Sequence, residues 1–511
     1  MIEYSIMSDV RVRFAPSPTG PLHIGGVRTA LYNYLFAKHA GGAFILRVED
    51  TDQNRYVAGA EDYIVEALDW FGLTPDEGPG FGGDYGPYRQ SERKDFYAKY
   101  AIQMVEQGNA YYAWDTPADL DSMRTQDSNA KYDAKTRVKM KNGLTLSADE
   151  VKLKLESGVK YVIRLKMPEN EDVMITDLVR GEVTFNTQDL DDKVILKGDG
   201  MPTYHLANIV DDHLMKISHV IRGEEWLSST AHHVLMYRFM GWEAPQFSHL
   251  PLILKPTGKG KLSKRDGAKF GLPVFPLEWN PGNDEELYSG FREFGFLPDA
   301  VINFLAFLGW NPGTEQEIFS LDELVNSFSV KRIVKSGARF DYDKAKWYNQ
   351  QYIIKTANEV LAAMIRSEVS SFYSDEYLAK ACGLMKERVE TVGDIPTVGN
   401  FLFGSPTEYD AKMILKKYKE VNDSHFMALT GALENLENFS AESTENTIKG
   451  YIEANGLSFG AIMPVLRLAT SGTMKGPDLF EMMELLGHDE VLVRMRDGLK
   501  EIKKIKSEVR S

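Results

Sequence analysis

The stretch from Val10 to Val48 constrains the fold more than any other part of this chain. Val10-Arg11-Val12-Arg13-Phe14 alternates as a half-buried strand does, and a turn ending in His23-Ile24-Gly25-Gly26 follows it. Val27, Ala30, Leu31, Tyr34 and Leu35 then recur at helical spacing, which predicts an amphipathic helix from Val27 to Lys38. Gly41-Gly42 ends that helix, and Phe44-Ile45-Leu46-Arg47-Val48 reads as a second strand. Strand, turn, helix, strand is a βαβ unit, the building block of parallel sheets with right-handed crossovers. Ligands of such sheets sit beyond the carboxyl ends of the strands. Arg13, Ser17, His23 and Glu49 all fall at such ends or in the turns that follow.

A second segment becomes informative beside the first. After the apolar run Leu250-Pro251-Leu252-Ile253-Leu254 comes Lys261-Leu262-Ser263-Lys264-Arg265. Lys255, Lys259 and Lys269 flank it, Gly258 and Gly260 could hinge it, and only Asp266 opposes its charge. It reads as a mobile cationic loop, although by itself it could equally be a solvated charge run. At the other segment, a helix N-terminus offers N–H groups and a positive dipole end to an anion, and glycine lets a ligand approach the backbone. The plain alternative there is a tight turn with a packed histidine. Taken together, the two segments suit the phosphates of one ATP.

Composition narrows the rest. The chain of 511 residues is 43% hydrophobic and 26% charged, ordinary for a globular enzyme of about three or four domains. One cysteine, Cys382, excludes an intramolecular disulfide and a multi-cysteine zinc site. No apolar run is long enough to span a bilayer, and the N-terminus lacks a signal pattern, so a cytoplasmic protein with no membrane partner is expected. A formal net charge of -15 argues against a general polyanion binder; any nucleic-acid partner must be held by local basic patches.

The expected fold class is α/β: a Rossmann-type parallel-sheet catalytic domain with an inserted α+β domain, followed by an all-α C-terminal half. Residues 1–110 form the first half of the catalytic domain. Residues 111–200 carry β-rich pieces such as Tyr161-Val162-Ile163-Arg164-Leu165 and read as the insertion. The core resumes over 201–262, with Thr203 to Val210 and His219 to Gly223, placing Tyr204 and Asn208 at a strand end. Residues 263–350 hold the lysine loop and its sequel, and 351–511 have helical spacing without strand-rich segments. The terminal run Lys500 to Arg510 reads as a solvated helix face.

The two segments resemble the HIGH and KMSKS signatures of class I aminoacyl-tRNA synthetases. Closer still, Arg13-Phe14-Ala15-Pro16-Ser17-Pro18-Thr19-Gly20 with Leu46-Arg47-Val48-Glu49-Asp50-Thr51-Asp52 is similar to the bacterial glutamyl-tRNA synthetases. So are Asn208-Ile209-Val210-Asp211-Asp212-His213, Arg222-Gly223-Glu224-Glu225-Trp226, and the stem-contact pieces Ser336 to Asp341 and Lys344 to Trp347. The resemblance covers most of the chain and is weakest in its last third.

It implies a two-step reaction: glutamate and ATP with Mg2+ form glutamyl-adenylate, and the 3′-terminal adenosine of tRNA(Glu) takes the glutamyl group. It implies catalytic positions at His23, Gly25, Gly26, Lys261, Ser263 and Lys264, the two lysines closing over the leaving pyrophosphate. ATP contacts would come from Pro16, His23, Gly25, Gly26, Glu225, Trp226, Leu254 and Lys264. Glutamate would be held by Arg13, Ala15, Ser17, Glu49, Tyr204, Asn208 and Arg222. Arginine suits two carboxylates by bidentate pairing, and Glu49 suits the α-ammonium. Which arginine takes which carboxylate stays open, and Glu49 could instead pair with Arg47. Arg388, on a helix expected across Leu384 to Val389, would contact an anticodon base of the tRNA. A monomer is implied.

Two departures stand out. Tyr111-Tyr112-Ala113-Trp114-Asp115 occupies the place of a cysteine-based zinc site in some members, so no structural zinc is expected. The segment Gly271 to Trp279 is longer than in the shortest members and could alter how the lysine loop closes. An enzyme that also charges tRNA(Gln) with glutamate is the alternative reading; a glutaminyl enzyme is disfavoured because an amide would leave Arg222 without its partner. A nucleotidylyltransferase would not need the helical C-terminal half, and a dead RNA-binding protein would not need His23 with both loop lysines.

Overall fold

A computed structural model describes residues 9–126, 130–280, 282 and 287–510, and its internal contacts divide the chain into two units. The first comprises Met1–Phe291 and Ile302–Tyr342; the second comprises Arg292–Val301 and Asp343–Ser511.

The first unit begins with the expected βαβ. Strands β1 (Arg11–Phe14) and β2 (Ala43–Leu46) pair in parallel, Arg11 opposite Ala43 and Phe14 opposite Leu46. Helix α1 (Ile24–His39) joins them, starting three residues before the apolar pattern because His23 caps it. Gly42 allows the return: a Cβ there would lie 2.1 Å from the Val10 carbonyl oxygen, so no other residue fits. Helices α2 (Ala60–Trp70) and α3 (Lys94–Glu106) follow.

The inserted segment has its own small antiparallel sheet. In chain order it holds β3 (Ala110–Ala113), α4 (Pro117–Gln126), α5 (Ala148–Glu156), β4 (Val162–Leu165), β5 (Asp172–Asp177), β6 (Gly181–Asn186) and β7 (Val194–Leu196). Strand β4 lies between β3 and β7 and pairs with both. The β5–β6 hairpin instead extends the core sheet, because Val173 and Ile175 alternate inward and Asp177 pairs with Phe247.

The core then resumes with a helix, α6 (Tyr204–Leu214), where the sequence reading has Tyr204 and Asn208 at a strand end. Leu206, Ile209 and Val210 are buried at helical spacing, and that period outweighs the β propensity of single residues. Next come β8 (His219–Gly223), α7 (Thr230–Met240) and β9 (Gln246–Leu250), with β8 and β9 parallel from His219 opposite Gln246 to Gly223 opposite Leu250. The Ser218 N–H donates to the Arg11 carbonyl at 2.9 Å, stitching β8 to the free edge of β1. β1 therefore lies between β2 and β8, and the chain runs to opposite sides of it. That is a topological switch point, where open α/β sheets form their ligand crevice.

The unit closes with β10 (Ile253–Leu254), α8 (Lys264–Phe270), α9 (Pro298–Phe307), α10 (Leu321–Ser327) and β11 (Ala338–Arg339), which pairs in parallel with β10. Helix α9 starts in residues that belong to the second unit.

The second unit is helical, and its described residues contain no strand. Helices α11 (Tyr342–Lys355), α12 (Asn358–Ile365) and α13 (Asp375–Met385) lead into seven more, the last spanning His488–Arg510. Its core collects Leu361, Leu378, Cys382, Met385, Ile448 and Leu466 among others; the Cys382 thiol is pushed up to about 12 by burial, which makes it inert packing. Two expectations fail here. The helix expected across Leu384 to Val389 stops at Met385, because Asp394 accepts the N–H groups of Glu390 (3.2 Å) and Thr391 (2.8 Å) that a longer helix would use. And the tail from Lys500 is not wholly solvated: Ile502 is buried, and so is Lys506, whose ammonium donates to the Tyr418 carbonyl.

Candidate active site

Helix α1 and strand β1 supply the end of the site where the sequence expects nucleotide contacts. The His23 imidazole Nδ1 accepts from the Gly25 N–H at 3.0 Å, so Nδ1 is the lone pair and Nε2 carries the proton. That Nε2 is buried without a hydrogen-bond partner. Burial, and then the ammonium charges of Lys264 and Lys261, push the imidazole down to about 4, so it stays neutral near pH 7. The helix end itself differs from the expectation of free amides. Ile24 N–H donates to Val274 at 3.0 Å, Gly25 N–H to His23, and Gly26 N–H to the His23 carbonyl at 2.7 Å. The donor left for an anion is therefore the imidazole, with the helix dipole behind it.

The Val274 contact explains what the longer segment after the lysine loop does. It folds back along the His23 turn, and the Phe275 ring stands edge-on to His23 with centroids 6.3 Å apart. The Lys264 ammonium lies 5.8 Å from the same ring, and burial lowers its pKa.

The lysine segment is less loop-like than its charges suggest. Ser263 caps α8 reciprocally with Asp266, so Lys264 and Arg265 open a helix. Asp266 also pairs with Lys255 at 2.9 Å, and Lys261 reaches Glu225 at 2.6 Å. The Lys261–Glu225 pair is exposed on both sides and worth about 1 kcal/mol or less, so Lys261 is cheaply released, whereas the Asp266 carboxylate is buried. Lys264 has no carboxylate partner among the described residues.

The other end, where the sequence expects amino-acid contacts, is a buried charge lattice. Arg13 is bidentate on Asp212, with Nε to Oδ1 at 2.9 Å and Nη2 to Oδ2 at 3.2 Å. Arg47 bridges Asp212 at 2.7 Å and Glu49 at 3.1 Å, so Glu49 does pair with Arg47. The Asn208 amide is satisfied when its oxygen accepts from Arg47 (3.2 Å) and Arg13 (3.3 Å) and its nitrogen donates to Asp212 (3.2 Å). Burial pushes Asp212 up, but Arg13 and Arg47 together hold it below the ordinary carboxylate range; burial wins at Glu49, which is raised.

Arg222 differs from both of these arginines. Its guanidinium donates to Tyr204 Oη (2.9 Å), Thr230 Oγ1 (2.9 Å), His249 Nε2 (3.0 Å) and His233 Nδ1 (3.2 Å), all neutral acceptors. Although it is only 5% exposed, no carboxylate among the described residues pairs with it.

Arg13, Ala15, Ser17, His23, Gly25, Gly26, Glu49, Tyr204, Asn208, Arg222, Glu225, Trp226, Lys261, Ser263 and Lys264 all border one cleft of about 800 Å³. Pro16 and Leu254 do not. Pro16 instead accepts the Glu49 N–H at 2.9 Å, and Leu254 packs on Gly337. Arg388 lies in the second unit, in the turn after α13; its Nε donates to Gly476 at 2.9 Å.

The family described as "tRNA synthetases class I (E and Q), catalytic domain" matches residues 9–347, and "Anticodon binding domain" matches residues 353–499. The glutamate–tRNA ligase of Christiangramia forsetii is 53% identical over 504 residues, covering 97% of this chain and 100% of its own. This chain belongs to the glutamyl branch of the class I aminoacyl-tRNA synthetases. The corresponding ligase of Phocaeicola vulgatus is also 53% identical, over 97% of this synthetase and 99% of its own length. A crystal structure of a glutamate tRNA ligase from Elizabethkingia meningosepticum in complex with its amino acid superposes with a TM-score of 0.93 at 50% identity, covering 97% of this synthetase and 100% of that chain.

The sequence did not announce the buried supports of the synthetase's cleft, Arg47 and Asp212, which do not border it but hold Glu49 and Arg13. Their signal was present for Asp212: Tyr204, Asn208 and Asp212 are spaced by four, one face of a helix. Nothing in the sequence marks His249 or Thr230. Among the described residues no group of three or more His, Cys, Asp or Glu could hold a metal ion, and no helix is long and apolar enough to cross a membrane.

Proposed function

We propose that this synthetase activates glutamate with ATP and transfers it to the 3′-terminal adenosine of tRNA(Glu), acting as a monomer. The observation that carries this reading is the charge of the amino-acid end. Three guanidinium groups, Arg13, Arg47 and Arg222, face two carboxylates, Glu49 and Asp212. Arg13 and Arg47 each meet a carboxylate directly, whereas Arg222 has none in contact among the described residues, Asp177 lying behind the neutral His249 ring. A second carboxylate on the substrate can pair with Arg222 directly, whereas the amide of glutamine would leave the guanidinium without a charged partner. Glu49 has one oxygen on Arg47, leaving the other for the substrate ammonium.

In the first step an α-carboxylate oxygen attacks the α-phosphorus of ATP, and pyrophosphate leaves with the electron pair of the broken bond. Magnesium enters as part of the co-substrate. His23 Nε2–H and the Lys264 ammonium supply donors to phosphate oxygens as charge moves toward the leaving group, and Lys261 joins them once released from Glu225. In the second step the ribose hydroxyl of the tRNA end attacks the adenylate carbonyl, and AMP leaves. Alignment and fixed donors provide the rate enhancement.

For the tRNA, Arg388 is proposed to meet an anticodon base. Its side chain is half-exposed, and the Arg467 guanidinium beside it holds a buried nitrogen without a partner. The test is ATP–pyrophosphate exchange with glutamate and with glutamine, each with and without tRNA, followed by charging of purified tRNA(Glu) and tRNA(Gln). Exchange driven only by glutamine would overturn the substrate reading. Glutamate charging of both tRNAs would replace tRNA(Glu) specificity with the broader alternative.

A further inference from the structure

We propose that the buried pair Asp177 and His249 acts as a positioning device that holds Arg222 for the substrate carboxylate. This rests on the glutamate reading above. Neither residue borders the cleft, and both are completely inaccessible.

Asp177 sits at the end of β5 with both oxygens occupied: Oδ1 accepts from the N–H groups of Val179 (2.9 Å) and Arg180 (2.7 Å), and Oδ2 from the His249 N–H at 3.1 Å. The same Oδ2 lies 2.6 Å from His249 Nδ1. A carboxylate held by three N–H donors is ionised and can only accept, so Nδ1 carries the imidazole proton. Nε2 is then the lone pair, and it faces the Arg222 Nε–H at 3.0 Å. The opposite tautomer would set N–H against N–H. Burial lowers the His249 pKa and the Arg222 charge adds to that, against the pull of Asp177, so the ring stays neutral and keeps its acceptor. The Asp177 carboxylate, on a hairpin of the inserted segment, thus selects the tautomer that fixes the orientation of Arg222.

His233 supports the same guanidinium from the other side. Arg222 can only donate, so His233 Nδ1 is an acceptor and its Nε2–H faces His205 Nδ1 at 3.2 Å. No carboxylate fixes that tautomer, whereas Asp177 fixes the one at His249.

The experiment compares Asp177→Asn, His249→Gln and the double variant in tRNA charging, with thermal melting as a check on folding. Asp177→Asn allows the wrong tautomer, so the KM for glutamate should rise at least tenfold while the KM for ATP stays within twofold. His249→Gln places an amide oxygen near the Nε2 position, needs no tautomer partner, and should remain within threefold of the parent. In the double variant, the Asp177 change should then cost little more. A glutamate KM within twofold of the parent in Asp177→Asn, or equal rises for glutamate and ATP, overturns the proposal. Should that variant fail to fold, the 15N shifts of His249 in the parent protein decide: a protonated Nε2 overturns it and a protonated Nδ1 supports it. Absence of glutamate-dependent charging by the parent would instead remove the substrate reading and leave the tautomer result standing.

Discussion

Replacing Asp212 by Asn tests the energetics of the buried lattice most directly. Asp212 is 1% exposed and joins two guanidinium groups that are 3% and 0% exposed. Removing the negative charge leaves Arg47 paired with Glu49 and Arg13 without a contacting carboxylate, while the new amide can accept with one oxygen only. Breaking a buried pair by removing one partner costs about 3–5 kcal/mol, because the remaining charge stays desolvated. In a unit of this size each kcal/mol moves the melting temperature by about 1.4 °C, so a drop of roughly 4–7 °C is expected. Calorimetry of the variant against the parent reads the shift. The carboxylate's folded pKa is depressed. Its stabilisation is therefore complete above the unfolded carboxylate value and lost as pH falls through the folded one, and the full difference should appear at pH 7. Salt should not rescue the variant, since buried charges are poorly screened. A shift under 2 °C, or recovery in 0.5 M NaCl, would show that Asp212 contributes no more than a surface pair.

Three other outcomes are expected. Arg222→Gln should lower kcat/KM for glutamate by about 10- to 150-fold, the worth of about 1.5–3 kcal/mol for hydrogen bonds to a charged group, with the ATP KM unchanged; a loss under threefold would contradict the assignment. His23 is depressed from 6.5 to about 4, so unfolded chains bind its proton first in that window and stability should fall as pH drops from 6.5 toward 4. His23→Gln should flatten that slope in urea titrations by up to about 3 kcal/mol at pH 4. Lys264→Met keeps the stem against Phe275 but removes the ammonium, and should slow pyrophosphate exchange about 100-fold with the glutamate KM within twofold.

Much of the scaffold was legible because its signals are local. The alternation from Val10 to Phe14 and the helical spacing from Val27 predict β1 and α1 without reference to the rest of the chain. The helix at Tyr204 was not, since Ile209 and Val210 favour strands individually and only their buried period decides otherwise. The paired motifs around His23 and Lys264 pointed to one phosphate site, and both border the same cleft.

What the chain determined by itself was the list of charged groups and the βαβ frame that carries them to strand ends. Tertiary structure alone decided which charges cancel. Asp212 meets Arg47 across 165 residues and Arg13 across 199, while His249 meets Asp177 across 72. Such pairings depend on separations of about 3 Å in a medium that screens little, and no local pattern encodes those distances. Arg222 has no carboxylate in contact among the described residues because histidines, a threonine and a tyrosine were folded against it, with Asp177 held behind one of those histidines.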